Sequence, residues 1–227
     1  MDAGSMSRTI KSDYLTKNAA RTTQAAFFLT ITLLSGCATY PALPSVERPS
    51  HWAQPVANPP LGLFNVHQVS PTLFRSAQPP LSGVVTLKPN EPLVLNGQTI
   101  KTLINLRAIH DEADELLTTQ SQLNYHHIRF NTWHAEDEDV IRFLKAATDP
   151  AQQPILLHCK HGADRTGMMV AIYRIVVQGW HKQDAIDEMR QGGFGYHPIW
   201  SNLISYINHM DVPAWQHKLA SAQAQTH

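Results

Sequence analysis

Cysteine is scarce in this chain: two in 227 residues, Cys37 and Cys159. That excludes a disulfide framework and any paired Cys-x-x-Cys zinc site. An excess of charge of one sign is missing too. Eighteen basic and eighteen acidic side chains cancel, and the pI is about 7.2. A nucleic-acid binder is expected to carry a basic face, so no nucleic-acid partner is expected. The apolar run from Ala25 to Leu34 is too short to span a bilayer comfortably. The thirteen histidines are scattered without an H-E-x-x-H spacing. His126-His127 lies in an apparent strand, where alternation sends the two rings to opposite faces. No metal site is read, and no internal repeat is visible.

What is present divides the chain. Residues 1–36 read as a targeting segment, with Lys11, Lys17 and Arg21 ahead of the apolar run. Met6 is an alternative start. The run ends in Leu34-Ser35-Gly36-Cys37, which resembles the bacterial lipobox. That resemblance implies cleavage before Cys37, lipid on its thiol and attachment to a membrane. Ala38, where an Asp would signal inner-membrane retention, implies an outer-membrane lipoprotein facing the periplasm. Cys159 would then be a lone thiol in an oxidising compartment, easier to explain as reactive than as structural. Residues 37–61 hold Pro41, Pro44, Pro49, Pro55, Pro59 and Pro60, and read as a semi-rigid tether. A single domain over 62–210 and a tail over 211–227 complete the expectation.

Within the domain, Phe64 to Arg75 predicts a hairpin around Ser70-Pro71. Leu81 to Gln98 has an Asn96-Gly97 turn but no regular structure that the pattern can place. Lys101 to Leu106 and Tyr125 to Phe130 read as strands. Asp111 to Leu123, Glu138 to Ala147 and Gln183 to Gln191 read as helices, with Asp137 as an N-cap. Pro198 opens a last helix. Strands alternating with helices argue one α/β domain around a mainly parallel sheet flanked by helices.

The centre of the chain is Pro154 to Gly179. Ile155-Leu156-Leu157 is a short buried strand, and the apolar segment after Arg165-Thr166-Gly167 is a helix that Gly179 ends. A tight loop between strand and helix N-terminus is an anion site. A helix N-terminus beside a cation lowers a thiol's pKa, which suits Cys159 as a nucleophile. Arg165 offers a planar fork for two phosphoryl oxygens. Gly162 lets the loop turn. Thr166 is placed to hydrogen-bond the sulfur, and His158 to orient the loop. Lys160, His161, Gly162, Ala163, Asp164 and Arg165 are the expected phosphate-binding residues.

This stretch resembles the H-C-x5-R-[ST] signature of the cysteine-dependent tyrosine and dual-specificity phosphatases. Arg75-Ser76-Ala77-Gln78-Pro79 is similar to the entry of small bacterial and fungal members, although no catalytic role is read for it. The resemblance implies the dual-specificity-phosphatase fold. It also implies phosphate monoester hydrolysis through a phosphocysteine, without metal or organic cofactor. A general acid is implied on the loop 131–137. The family's early Asp is replaced there by Asn131 and Thr132. Asp137 is the first candidate, then Glu136 and Asp139, with His134 as a chemical alternative; Asp164 is placed to position water. The expected substrate is a phosphorylated protein or small phosphoester, phosphotyrosine first. A phosphoinositide or inositol polyphosphate, and a pseudophosphatase that only binds, are the alternatives.

Overall fold

A computed structural model describes residues 48–109 and 112–225. Cys37, the segment 1–36 and the first part of the expected tether, up to residue 47, lie outside the described residues.

Among the described residues, eight strands and seven α-helices are ordered as follows. β1 (Gln54–Pro55), β2 (His67–Ser70) and β3 (Leu73–Ser76) come first, then α1 (Leu81–Val84) and a small hairpin of β4 (Val94–Leu95) and β5 (Gln98–Thr99). β6 (Thr102–Asn105), α2 (Glu112–Ser121), β7 (Asn124–His127), α3 (Asp137–Thr148), β8 (Ile155–His158) and α4 (Asp164–Val176) follow. α5 (Lys182–Gln191), α6 (Ser201–His209) and α7 (Val212–Ala224) close the chain. The main sheet has the order β1-β2-β3-β8-β6-β7. Strands β3, β8, β6 and β7 are parallel to one another, while β1 and β2 join antiparallel.

Alternation along these strands makes two cores. Leu73, Ile104, Ile155 and Leu157 face the helices α3 to α7. Phe74, Leu103 and Leu156 face the opposite layer of α1, α2 and the hairpin. Both faces of β8 are thus covered, which is why its sequence is an unbroken apolar run. The register then sets Ser76, His158, Asn105 and His127 in one row across the sheet. Every loop that leaves this row emerges at the carboxyl ends of the parallel strands, where open α/β sheets bind ligands.

Several boundaries differ from the sequence expectation. The folded unit starts before residue 62: β1 pairs with β2, and Ala53 is fully buried. Its N–H is held by Glu188 Oε1 at 2.5 Å, which also pairs with buried Arg174 at 2.7 Å. Nor is 211–225 a tail. Asp211 caps α7 by accepting from the Ala214 N–H at 3.1 Å, and Trp215 and Leu219, one turn apart, enter the core. Leu81 to Gln98 is one helical turn and a hairpin, whose Asn96 and Gly97 have φ of 46° and 74°. That is the left-handed pair a two-residue turn requires. β7 stops at His127, because Ile128 leaves the ladder after one bond to the Asn105 carbonyl. The N-cap of α3 is Glu136, not Asp137.

Candidate active site

The site begins where β8 ends. Buried between β3 and β6, the strand delivers His158 and then Cys159, which is only 3% exposed. The next residues form a loop whose carbonyls are bonded from outside. Lys160 O accepts the Gln78 N–H at 3.2 Å. His161 O accepts from Asn65 Nδ2 at 2.9 Å. Gly162 O accepts from Arg75 Nη2 at 2.6 Å. In a planar trans peptide the N–H points opposite to its C=O. Three carbonyls drawn outward therefore turn the amides of His161, Gly162 and Ala163 inward, making a concavity suited to an anion. Ala163 precedes α4 and has no side chain that caps it. The helix N-terminus adds its positive potential to the same space.

Gly162 is obligatory here. Its φ is +69°, and a Cβ would sit 2.5 Å from the Ser76 carbonyl carbon and oxygen. Arg165 is fixed by a bond from Nη1 to Leu106 O at 3.2 Å, at the end of β6. The loop thus rests on β3 at one side and β6 at the other. Both supports follow from the strand order.

Two buried groups under the loop escaped the sequence reading. Arg75 is fully buried, with its guanidinium against the Phe194 ring at 3.7 Å. Its Nε and Nη1 have no hydrogen-bond partner among the described residues. Burial pulls its pKa down to about 10, against the opposing pull of Glu188 and Cys159. Asp114 is also fully buried and gathers the polar ends of the strands. It accepts from Gln78 Nε2 at 2.7 Å and Asn105 Nδ2 at 2.5 Å. His158 Nε2 lies 3.3 Å from Oδ1 but off the hydrogen-bond line. Burial alone would raise the Asp114 pKa; the His158 ring, Gln78 and Tyr125 outweigh it and bring it below the usual value. Asp114 and Arg75 thereby anchor the Cys159 loop from opposite faces of the sheet. The available signal was polar residues at the ends of apolar strands, Arg75 and Asn105.

Of the expected site residues, Cys159 through Thr166 form one continuous loop and helix start. Two details differ. Thr166 Oγ1 is buried and bonds to nothing among the described residues, the Cys159 sulfur included. Asp164 is turned to His197, accepting its N–H and its ring Nδ1 at 2.8 Å each.

The expected acid fares differently. Asp137 accepts the Tyr206 hydroxyl at 2.6 Å and Lys218 Nζ at 3.2 Å. Both partners belong to α6 and α7, so its carboxylate ties helices together and meets no residue of the Cys159 loop. Burial and the bond to Asp137 push the Tyr206 pKa up. Asp139 is buried and pairs with Arg142 at 2.6 Å. The 131–134 turn is closed by Asn131, whose Oδ1 takes the Trp133 N–H at 3.0 Å. It is latched to α6 by Asn202, which donates to Thr132 O at 2.7 Å. Trp133 stands 69% exposed, edge-on to Trp200 at 4.6 Å.

Residues 81–201 match a family model described as "DSP-PTPase phosphatase fused to NAD+ Kinase". The chain belongs to the dual-specificity family of cysteine phosphatases. Dual specificity protein phosphatase TpbA of Pseudomonas aeruginosa strain UCBPP-PA14 is 32% identical over 191 residues, spanning 84% of this chain and 81% of that protein. The crystal structure of P. aeruginosa TpbA, a Cys→Ser variant in complex with pTyr, superposes with a TM-score of 0.62. It is 32% identical and covers 76% of this chain and 98% of its own. The core catalytic domain of PP-IP phosphatase SIW14 from S. cerevisiae has a TM-score of 0.55 at 19% identity. It covers 72% of this chain and 94% of its own, and shares the fold. The phosphatase therefore has the mixed α/β architecture of its family, with the Cys159 loop between the central strand β8 and α4.

Proposed function

We propose that this phosphatase hydrolyses phosphotyrosine in proteins, with phosphoserine and phosphothreonine as secondary substrates, through a phosphocysteine on Cys159. The observation that carries the reading is the loop whose carbonyls at 160, 161 and 162 are all bonded outward. Its inward amides and Arg165 hold the equatorial oxygens of a phosphoryl group, while the Cys159 thiolate attacks phosphorus in line. The P–O bond to the leaving group breaks as the S–P bond forms. Water then displaces the thiolate and releases phosphate. The relative solved with pTyr, in its Cys→Ser form, supports phosphotyrosine as the first substrate class to test.

The deciding experiment is turnover of p-nitrophenyl phosphate and a phosphopeptide panel by purified protein, with inositol phosphates alongside. Phosphotyrosine peptides are expected to be best, and Cys159→Ser to be inert yet still bind. A preference for inositol phosphates would replace the substrate assignment, and binding without turnover would make the protein a pseudophosphatase.

We further propose that the enzyme faces the periplasm at the outer membrane, tethered by lipid on Cys37. The support is the basic, apolar, Leu34-Ser35-Gly36-Cys37 order.

A further inference from the structure

Cleaving a phosphate monoester takes a proton for the departing oxygen and a base for the attacking water. The carboxylates of 131–139 are mostly spent elsewhere. Asp137 is bound by Tyr206 and Lys218, and Asp139 is buried against Arg142. Glu136 stands exposed, 3.8 Å from His134. A better-built pair lies at the loop itself.

Asp164 is the residue immediately before Arg165. Its side chain is 11% exposed, and both oxygens are aimed at His197. Oδ1 takes the backbone N–H and Oδ2 meets ring Nδ1, each at 2.8 Å. The imidazole is 52% exposed. One ring nitrogen is therefore clamped by a nearly buried carboxylate, and the rest of the ring reaches solvent. His161, on the phosphate loop, is the adjacent ring, with centroids 5.8 Å apart. Burial, then Lys160 and His197, lower the His161 pKa, so that ring is poorly suited to carry a proton at neutral pH. His197 Nδ1 is instead held by a carboxylate oxygen at 2.8 Å. A histidine oriented by a carboxylate, one ring away from the phosphate loop, is an arrangement suited to proton transfer.

We propose that His197 is the proton-transfer residue of this phosphatase, with Asp164 as its positioning residue. The proposal rests on the phosphocysteine reading above. In the first step Cys159 Sγ bonds to phosphorus and the P–O bond breaks. The leaving oxygen takes the Nε2 proton of the imidazolium, while Nδ1–H remains on Asp164. In the second step water attacks phosphorus and gives a proton to Nε2. The S–P bond breaks, and its electron pair returns to Cys159. The ring ends as it began, and one water is consumed per ester.

The test uses His197→Asn, whose amide can still donate to Asp164 in place of Nδ1–H but lacks the second nitrogen. Phenyl phosphate, which needs the proton, is compared with a strongly activated aryl phosphate, which does not. The expected result is a loss in kcat/KM, which reports the first step alone, of about 10²–10⁴-fold on phenyl phosphate and less than about 10-fold on the activated ester. Added imidazole should restore part of the phenyl phosphate rate. Asp164→Asn should show the same leaving-group pattern more weakly. If His197→Asn does not fold, His197→Gln carries the same comparison. Equal losses on both esters, an unchanged rate, or no rescue by imidazole would overturn the proposal. So would a leaving-group effect in Glu136→Gln and not in His197→Asn. Failure of the underlying reading is distinguishable, because activated-ester turnover would then survive Cys159→Ser.

Discussion

Cys159 and Arg165 depend on side chains that need never meet phosphate. Arg75 holds the Gly162 carbonyl from below, so Arg75→Met should leave that buried acceptor unpaired, at a cost of about 1–3 kcal/mol. The loop amides would also shift, and a misplacement near 1 Å can cost on the order of 10²-fold in rate. Denaturant unfolding and kcat/KM on p-nitrophenyl phosphate check the two halves; an active, equally stable variant would remove Arg75 from the account. His67 makes a pH prediction. It is packed edge-on against Phe194 at 4.8 Å, and burial is the main cause that lowers its pKa from 6.5 to about 4. A depressed folded pKa means the unfolded chain binds the proton more readily. Stability is thus full above pH 6.5 and falls as pH drops from 6.5 toward 4. The loss is of order 1–3 kcal/mol. His67→Phe should flatten that part of the stability profile, and an unchanged slope would point to other groups.

Among the elements, α7 separates what the sequence made legible from what it did not. Trp215 and Leu219 lie one turn apart and are both buried. Trp215→Ala should cost about 3–5 kcal/mol in chemical unfolding. The exposed Lys218–Asp137 pair beside it should contribute about 0–1 kcal/mol, so Asp137→Asn is expected to change stability little and to spare kcat on phenyl phosphate. The long periodic elements, α3 and α4, and the apolar strand β8 were readable because both faces or one broad face follow the residue period. The loop from Cys159 to Thr166 was readable because its chemistry is local: nucleophile, glycine, arginine and helix start lie within eight positions. What was not readable is long-range. Arg75 reaches Gly162 across 87 residues, Asp114 reaches Gln78 across 36, and Tyr206 captures Asp137 across 69. An acidic residue at a helix start has the same local pattern whether it donates a proton or ties down another helix. Only tertiary contact separates those roles. The short hairpin and the first strand, two residues each, carry too little periodicity to be seen.

For the whole molecule, the buried Arg174–Glu188 pair holds Ala53, so the chain joins the folded body well before residue 62. The stretch left between Cys37 and that body is short and contains Pro41 and Pro44. Lipid on Cys37 would keep the enzyme close to its membrane. Cys37→Ser should abolish incorporation of labelled fatty acid in cells and leave the catalytic rate of the solubilised enzyme unchanged. Label that persists in this variant would remove Cys37 as the acceptor. The central claim is that the outward-bonded loop exists to hold a phosphoryl group for transfer to one thiol. The most direct measurement is an acid quench during turnover of a labelled aryl phosphate, followed by peptide mapping. The account predicts phosphate bound through sulfur to the peptide containing Cys159, and none in Cys159→Ser. Phosphate on a different residue, or continued turnover of the Cys159→Ser enzyme, would contradict it.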